Sequence, residues 1–346
     1  MTTVSALTST DLIRVLFGSS AFQMLNAGCS LGLFPLLDRL PGSTSAEIAD
    51  ALDLQTRPAE ILLLGTTSLG LTVREDGRYR NADLLTEMFD SDSWDIIEDL
   101  VTFESEIVLP VEVDFVESLR QNTNVGLRRF DGEGGDLYHR LAANPGAEQL
   151  FYRCMRSWSR LSNPILIDKA DLTGVRRVLD VGGGDAVNAI ALARANPGVE
   201  FTVLDLPGAV EIARKKVAES NLTEVITVLE GDIFADEYPR GHDCVLFANQ
   251  LVIWSPEENE SLLRKACEAL SPGGRVMVFS AMADDSGDGP LYAALDNVYF
   301  ATLPAKSSTI YRWGQYETWL RAAGFSTVER HPGRTWTPHG LISGTK

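Results

Sequence analysis

The chain has 346 residues, 45% of them hydrophobic, and a formal net charge of −18. That length exceeds one typical core, so two domains, or one large domain with an appendage, are expected. The acidity repels phosphate backbones and anionic lipid, which argues against nucleic-acid and membrane partners and for small substrates. The first eleven residues carry no basic-then-apolar leader and no uninterrupted apolar run of spanning length follows, so the expectation is a cytoplasmic protein, neither secreted nor membrane-spanning. Cys29, Cys154, Cys244 and Cys267 are widely spaced, which suggests small buried hydrophobes in a reducing compartment and neither a zinc site nor a disulfide framework.

From Thr10 to about Leu40 apolar residues recur at helical spacing until Pro41-Gly42 stops them. Thr44 to Leu52 restarts as a short helix with a Thr44-x-x-Glu47 capping box. A third helix, Pro58 to Leu69, leads to Thr72-Val73-Arg74, a turn at Asp76-Gly77, and Tyr79. Helix, helix and a hairpin with a D-G turn form a winged-helix pattern, which raises the question of DNA. Between Pro41 and Asp90 four basic residues face nine acids, the wrong sign for a phosphate surface. Residues 91–162 read as mostly helical with a glycine-rich turn at Asp131 to Gly135, and Asp136 to Trp158 turns Leu137, Leu141, Leu150, Phe151 and Met155 to one face.

From Val175 strands and helices alternate. Strands are expected at Arg177 to Val181, Phe201 to Leu204, Ile226 to Leu229, Cys244 to Ala248 and Arg275 to Ser280, with a last pair near Ser326 to Arg330 and Leu341 to Gly344. The expected fold class is α/β, a mostly parallel Rossmann-like sheet with helices on both faces, preceded by an all-α winged-helix domain. The expected domains are 1–100, a helical connector at 101–162 that contributes to the substrate pocket, and 163–346.

The sharpest motif is Val178 to Ala186, VLDVGGGDA, an apolar strand ending in an acid and a triple-glycine turn before a helix. Glycines there let a ligand lie almost against the backbone. A dinucleotide fingerprint would place its third glycine at Val187, so that reading fails. Asp180, two residues before Gly182, suits instead a ligand whose near end bears an ammonium and a sulfonium, the chemistry of S-adenosylmethionine (SAM). Asp205 closes the next strand about 20 residues on, where such folds place a carboxylate on ribose hydroxyls. Asp232, in Gly231-Asp-Ile-Phe234, ends a third strand, and carboxyl ends of neighbouring strands line one crevice.

Together with the N-terminal winged helix, DVGGG at Asp180 to Gly184, VLDLP at Val203 to Pro207, GDIF at Gly231 to Phe234, Trp254 with the following SPEE, LSPGGRV at Leu270 to Val276 and AAGF at Ala322 to Phe325 resemble the plant-caffeate and bacterial-antibiotic type of SAM-dependent O-methyltransferase. The resemblance implies a class I methyltransferase sheet and a homodimer whose N-terminal helices interlock. It also implies cofactor contacts from Gly182, Asp205, Asp232 and Ile233, and Asp180, Gly184, Leu206, Asn249 and Trp254 are further candidate cofactor contacts.

The same resemblance breaks at the catalytic positions. Where the family carries His-Asp-Trp this chain has Val252, Ile253 and Trp254, and where it carries two orienting acids the chain has Ser280 and Ser307-Ser308-Thr309. Losing a phenolic proton at neutral pH costs about 4 kcal/mol, so another device must assist. Transfer to a ring carbon ortho to a phenol fits an apolar residue at 252, and Gly289 to Pro304 is similar to the bacterial ring C-methyltransferases that act on tyrosine or 3-hydroxykynurenine in antibiotic pathways. The candidate base is His139. Asn249 and Gln250 are candidate phenolate donors. Met155, Tyr292, Asp296, Asn297 and Tyr299 are candidate substrate contacts. His242 is read as solvated, His331 and His339 as structural, and the Asp284-Asp285/Asp288 loop as solvated with no metal. The favoured function is C-methylation of a small, amino-acid-derived phenol. The alternatives are O-methylation and a SAM-binding homologue that catalyses hydroxylation, decarboxylation or a pericyclic step.

Overall fold

The computed structural model describes residues 7–333 and 336–346. They form two compact units, one ending at Ser105 and one starting at Glu106.

In the first unit, strands β1 (Ser43–Thr44), β2 (Thr72–Glu75) and β3 (Arg78–Asn81) make an antiparallel sheet in the order β1-β3-β2. The helical run of the first forty residues is three helices, Ser9–Leu16, Gly18–Ser30 and Leu33–Arg39. Gly32 breaks it with a φ of 75°, a conformation a side chain would resist. Thr44 and Glu47 close the expected capping box: the Glu47 amide donates to the Thr44 hydroxyl at 3.3 Å, and the Thr44 amide to the Glu47 carboxylate at 2.7 Å. Leu33, Phe34, Leu37, Ile48 and Leu63 are the buried centre of this unit.

The second unit is built on seven strands: β4 (Arg177–Val181), β5 (Glu200–Asp205), β6 (Ile226–Glu230), β7 (Cys244–Ala248), β8 (Arg275–Ala281), β9 (Thr327–Pro332) and β10 (His339–Thr345). Their order is β6-β5-β4-β7-β8-β10-β9. The first five run parallel, and β10 is antiparallel to both β8 and β9. Successive side chains on a strand point to opposite faces, and because both faces of the central strands β4, β7 and β8 are covered they are mostly apolar, whereas the edge strands β6 and β9 are largely exposed. Val178, Leu246 and Phe279 pack with the helices Pro145–Lys169 and Val187–Ala195 on one face. Leu179, Val245 and Val278 pack with Pro256–Ala269 and Trp313–Ala322 on the other.

Asp136 to Trp158 is not one continuous helix. It divides into Leu137–Leu141 and the start of Pro145–Lys169, because Pro145 lacks the amide a continuing helix would need and serves as a first-turn residue. Leu137, Leu141, Leu150 and Phe151 are buried on either side of that break, while Met155 is half-buried. No single helix among the described residues is long and apolar enough to cross a membrane.

Candidate active site

The strand order reverses at β4, whose neighbours β5 and β7 lie on opposite sides, so a crevice opens at its carboxyl end. The glycine turn fills that position. Gly182 and Gly184 have φ of 69° and 59°. A Cβ on Gly182 would lie 1.9 Å from Gln250 Nε2, and one on Gly183 would lie 2.7 Å from Asp180 Oδ2. At Gly184 a Cβ would meet nothing, so that glycine faces open space and the start of the helix Val187–Ala195. The loop after β7 therefore lies against the turn after β4.

The three strand-end acids have different surroundings. Asp180 is fully buried, neither of its oxygens has a hydrogen-bond partner among the described residues, and burial with the nearby charge of Asp205 pushes its carboxyl up to about 7. Asp205 accepts from the Gly184 amide through Oδ2 and from the Leu206 amide through Oδ1, both at 2.7 Å. Burial raises its pKa and those two amides oppose the rise. Asp232 is half-buried and ties its own turn, accepting from the Phe234 amide at 2.8 Å and the Ala235 amide at 3.3 Å. Lys265 braces the same turn from the helix Pro256–Ala269, its ammonium donating to the carbonyls of Ile233 at 2.7 Å and Phe234 at 2.9 Å. Nothing in the sequence flagged this lysine, because its partners are backbone oxygens some thirty positions away. The Phe234 and Trp254 rings meet edge to face at 4.8 Å, and the buried indole N–H of Trp254 has no partner among the described residues.

These features fit SAM. An unpaired buried carboxylate is costly until a cation stands near it, and a ligand laid on the glycine turn brings its ammonium and sulfonium within reach of Asp180's field. Asp205 keeps a lone pair on each oxygen for hydroxyl donors, and Ile233 and Trp254 offer apolar surface for a base.

The segment after β7 and the helix Leu291–Thr302 are built differently. Val252 and Ile253 are buried with Ala305, and Tyr138, Trp254 and Phe300 pack against them. The Ser307-Ser308-Thr309 segment fastens this wall: the Ser308 hydroxyl donates to the Ile253 carbonyl at 2.8 Å and the Thr309 amide to the Val252 carbonyl at 2.9 Å. On the helix Leu291–Thr302, the Tyr292 ring meets Trp158 edge to face at 5.7 Å and its hydroxyl donates to Asp296. Burial pushes the Asp296 carboxyl up to about 6. Asn297 accepts from the Thr309 hydroxyl at 3.0 Å and the Ile310 amide at 2.7 Å, so its carbonyl anchors the following loop. Tyr299 is buried against Phe300, their centroids 5.2 Å apart.

Several single-residue expectations change. His139 has a 56% exposed side chain paired with Asp136 at 2.8 Å, at the N-terminus of its own helix, and so faces water. His242 is not solvated: its ring nitrogens lie 3.0 Å from the Pro239 carbonyl and 2.9 Å from the Thr202 hydroxyl, because its turn folds back on β5. Asp285 is not free in its loop, since Arg330 and the Gly314 amide hold its carboxylate at 2.6 and 2.7 Å. His331 contacts the Ser343 hydroxyl at 3.1 Å across the β9–β10 pair.

The fourth histidine reaches the site. Asn249 follows β7 with a φ of 57°, its amide donating to the Phe279 carbonyl at 2.7 Å, and its Oδ1 lies 2.9 Å from Nε2 of His339. His339 Nδ1 lies 2.6 Å from the Thr337 hydroxyl. The residue is 5% exposed, its ring lies 5.2 Å from that of Phe279, and burial depresses its pKa to about 3. Residues 249 and 339 meet only because β10 returns antiparallel beside β8, which no local pattern announces.

A family model, O-methyltransferase domain, matches residues 114–326. The chain is 52% identical over 337 residues to L-tyrosine C(3)-methyltransferase of Streptomyces lavendulae, covering 97% of this chain and 92% of that one. The apo crystal structure of the S-adenosylmethionine-dependent methyltransferase SibL superposes with a TM-score of 0.88 at 57% identity, covering 98% and 99% of the two chains. PigF with SAH (S-adenosylhomocysteine) superposes at 0.81 with 25% identity, covering 98% and 100%. With its cofactor crevice of the fitting chemistry, the chain belongs to the O-methyltransferase domain family and is a SAM-dependent methyltransferase.

Proposed function

We propose that this enzyme transfers a methyl group to the ring carbon ortho to the phenol of L-tyrosine or a closely related aromatic amino acid. The observation that carries the reading is the buried Val252–Ile253 wall, which stands where the family places its base and leaves no imidazole at the oxygen-attack position. The similarity to a tyrosine C-methyltransferase supports it.

SAM supplies an electrophilic methyl on sulfur; the rest is positioning by the chain. Asp180, Gly182, Gly184, Asp205, Leu206, Asp232, Ile233 and Trp254 form the cofactor wall. Asn249 and Gln250, at the end of β7, donate to the substrate oxygen and lower the cost of its ionisation, about 4 kcal/mol for a free phenol at pH 7. With the oxygen held by amide donors, its proton would pass to solvent and the charge delocalised onto the ortho carbon would be available for the methyl that bound SAM supplies, with S-adenosylhomocysteine as the co-product; the ring proton would follow to solvent as aromaticity returns. Asp296, with Tyr292 beside it, takes the substrate ammonium, and Met155, Trp158 and Tyr299 wall the ring. Asn297 holds this segment in place.

A homodimer is part of the proposal. The helix Ser9–Leu16 buries none of its own residues and leaves Leu12, Ile13, Val15 and Leu16 exposed, an apolar stripe that suits a second copy. The same reading places the enzyme in the cytoplasm, with a small aromatic substrate and no nucleic-acid partner.

Incubation with SAM and L-tyrosine should give S-adenosylhomocysteine in step with tyrosine consumption, and much less with phenols that lack the amino-acid head. Equal turnover of head-less phenols would contradict the substrate assignment.

A further inference from the structure

We propose that His339 is a positioning residue for the acceptor oxygen, fixing the Asn249 side chain so that its Nδ2 donors face the crevice. The inference rests on the reading of Asn249 as a phenolate donor and explains how that donor is aimed.

An asparagine amide has two nearly isosteric ends, one a pure acceptor and one a pure donor, so a partner must select which end faces the substrate. The Asn249 backbone is already fixed by its left-handed φ and its bond to the Phe279 carbonyl. What remains is the orientation of the amide, and His339 sets it. With Oδ1 facing Nε2 at 2.9 Å, that nitrogen carries the ring proton, and Nδ1 accepts from the Thr337 hydroxyl at 2.6 Å. A neutral imidazole has one donor and one acceptor, and this chain uses both. Deep burial against Phe279 keeps the ring neutral, so His339 is unsuited to be a base and suited to be a fixed donor. The Nδ2 of Asn249 has no hydrogen-bond partner among the described residues, and the side chain is half-buried at the end of β7, beside Gln250 and the glycine turn. Its two N–H groups are left for a ligand.

The test compares His339→Leu, which removes the donor, with His339→Gln, whose carboxamide N–H replaces it, and with Asn249→Ala. With SAM and L-tyrosine, kcat should fall roughly 10- to 100-fold in His339→Leu, the scale of a misdirected oxyanion donor, while KM stays within about threefold. His339→Gln should recover most of the loss, and the Leu/Ala double variant should lose little beyond Asn249→Ala alone. A second readout follows ionisation directly. The visible absorbance of 3-nitro-L-tyrosine added to the enzyme with S-adenosylhomocysteine should show added phenolate with the wild type and His339→Gln but not with His339→Leu. If Asn249→Ala impairs both readouts and His339→Leu neither, or if His339→Gln is as impaired as His339→Leu, the inference is wrong. Should Asn249→Ala leave both unchanged, the donor reading of Asn249 fails instead. If His339→Leu does not fold, His339→Met, which also lacks a donor, takes its place in both readouts.

Discussion

The two walls of the crevice differ in how they treat charge. On the cofactor side, Asp180 lies buried with no hydrogen-bond partner among the described residues and its carboxyl is pushed up to about 7, while Asp205 accepts from the Gly184 and Leu206 amides, so an incoming cation would favour the ionised form of Asp180. The surface around Val252 and Ile253, to which the proposal assigns the acceptor, is apolar, its backbone carbonyls engaged in tying the loop that carries Ser308 and Thr309. In the proposed reaction the donor needs a field, whereas the acceptor needs an oriented oxygen and a ring carbon turned toward sulfur. A wall that lacks an imidazole can still serve the second purpose if amide donors fix the oxygen.

The largest effect is expected at the charged wall. Asp180→Asn should weaken SAM by about 30-fold or more in calorimetry, and S-adenosylhomocysteine, which lacks the sulfonium charge, by less. The ligand-free variant should melt at a higher temperature. The folded-state pKa of Asp180 is raised to about 7 from 3.8, so the ionised form is the disfavoured one. Its destabilising effect grows as pH rises from near 4 and is fully present above 7. SAM affinity should accordingly decline as pH falls below 7, and that decline should be absent in Asp180→Asn.

On the other wall, Asp296→Asn should raise KM for L-tyrosine about tenfold with kcat within about threefold, the signature of lost ground-state binding to the ammonium. Val252→His should lower the melting temperature, because it buries a polar ring among Ile253, Ala305 and Phe300, and should lower turnover by a few fold while a methoxy product appears. Unchanged product identity would show that the base position does not set the acceptor atom. The smallest effect is expected at His139, whose exposed pairing with Asp136 predicts less than about a twofold change in kcat for His139→Ala.

The glycine turn after β4 and the acids beside it could be read from the sequence because their signals are local. A strand, an acid and three glycines lie within nine residues, and the two later acids sit at their own strand ends. The central parallel strands were legible because burial on both faces makes them mostly apolar runs between turn residues. The acceptor wall was harder, since it is assembled from distant segments. Asn249 meets His339 ninety positions away, just as, on the cofactor side, Lys265 reaches the turn after β6 from a helix some thirty positions on. His139 misled for a related reason: a histidine in an amphipathic segment looks like a pocket residue until Asp136 is seen to hold it at the surface. Pro145 was visible in the sequence, and the helical periodicity that continued past it hid the break.

The account turns on which atom of the acceptor receives the methyl group. Carbon-13 NMR of the product formed from L-tyrosine and SAM labelled in its methyl should show the label as an aryl methyl on the carbon next to the phenol. A label found as a methoxy group would contradict the reading of the apolar wall, and label left on SAM would contradict the proposed substrate.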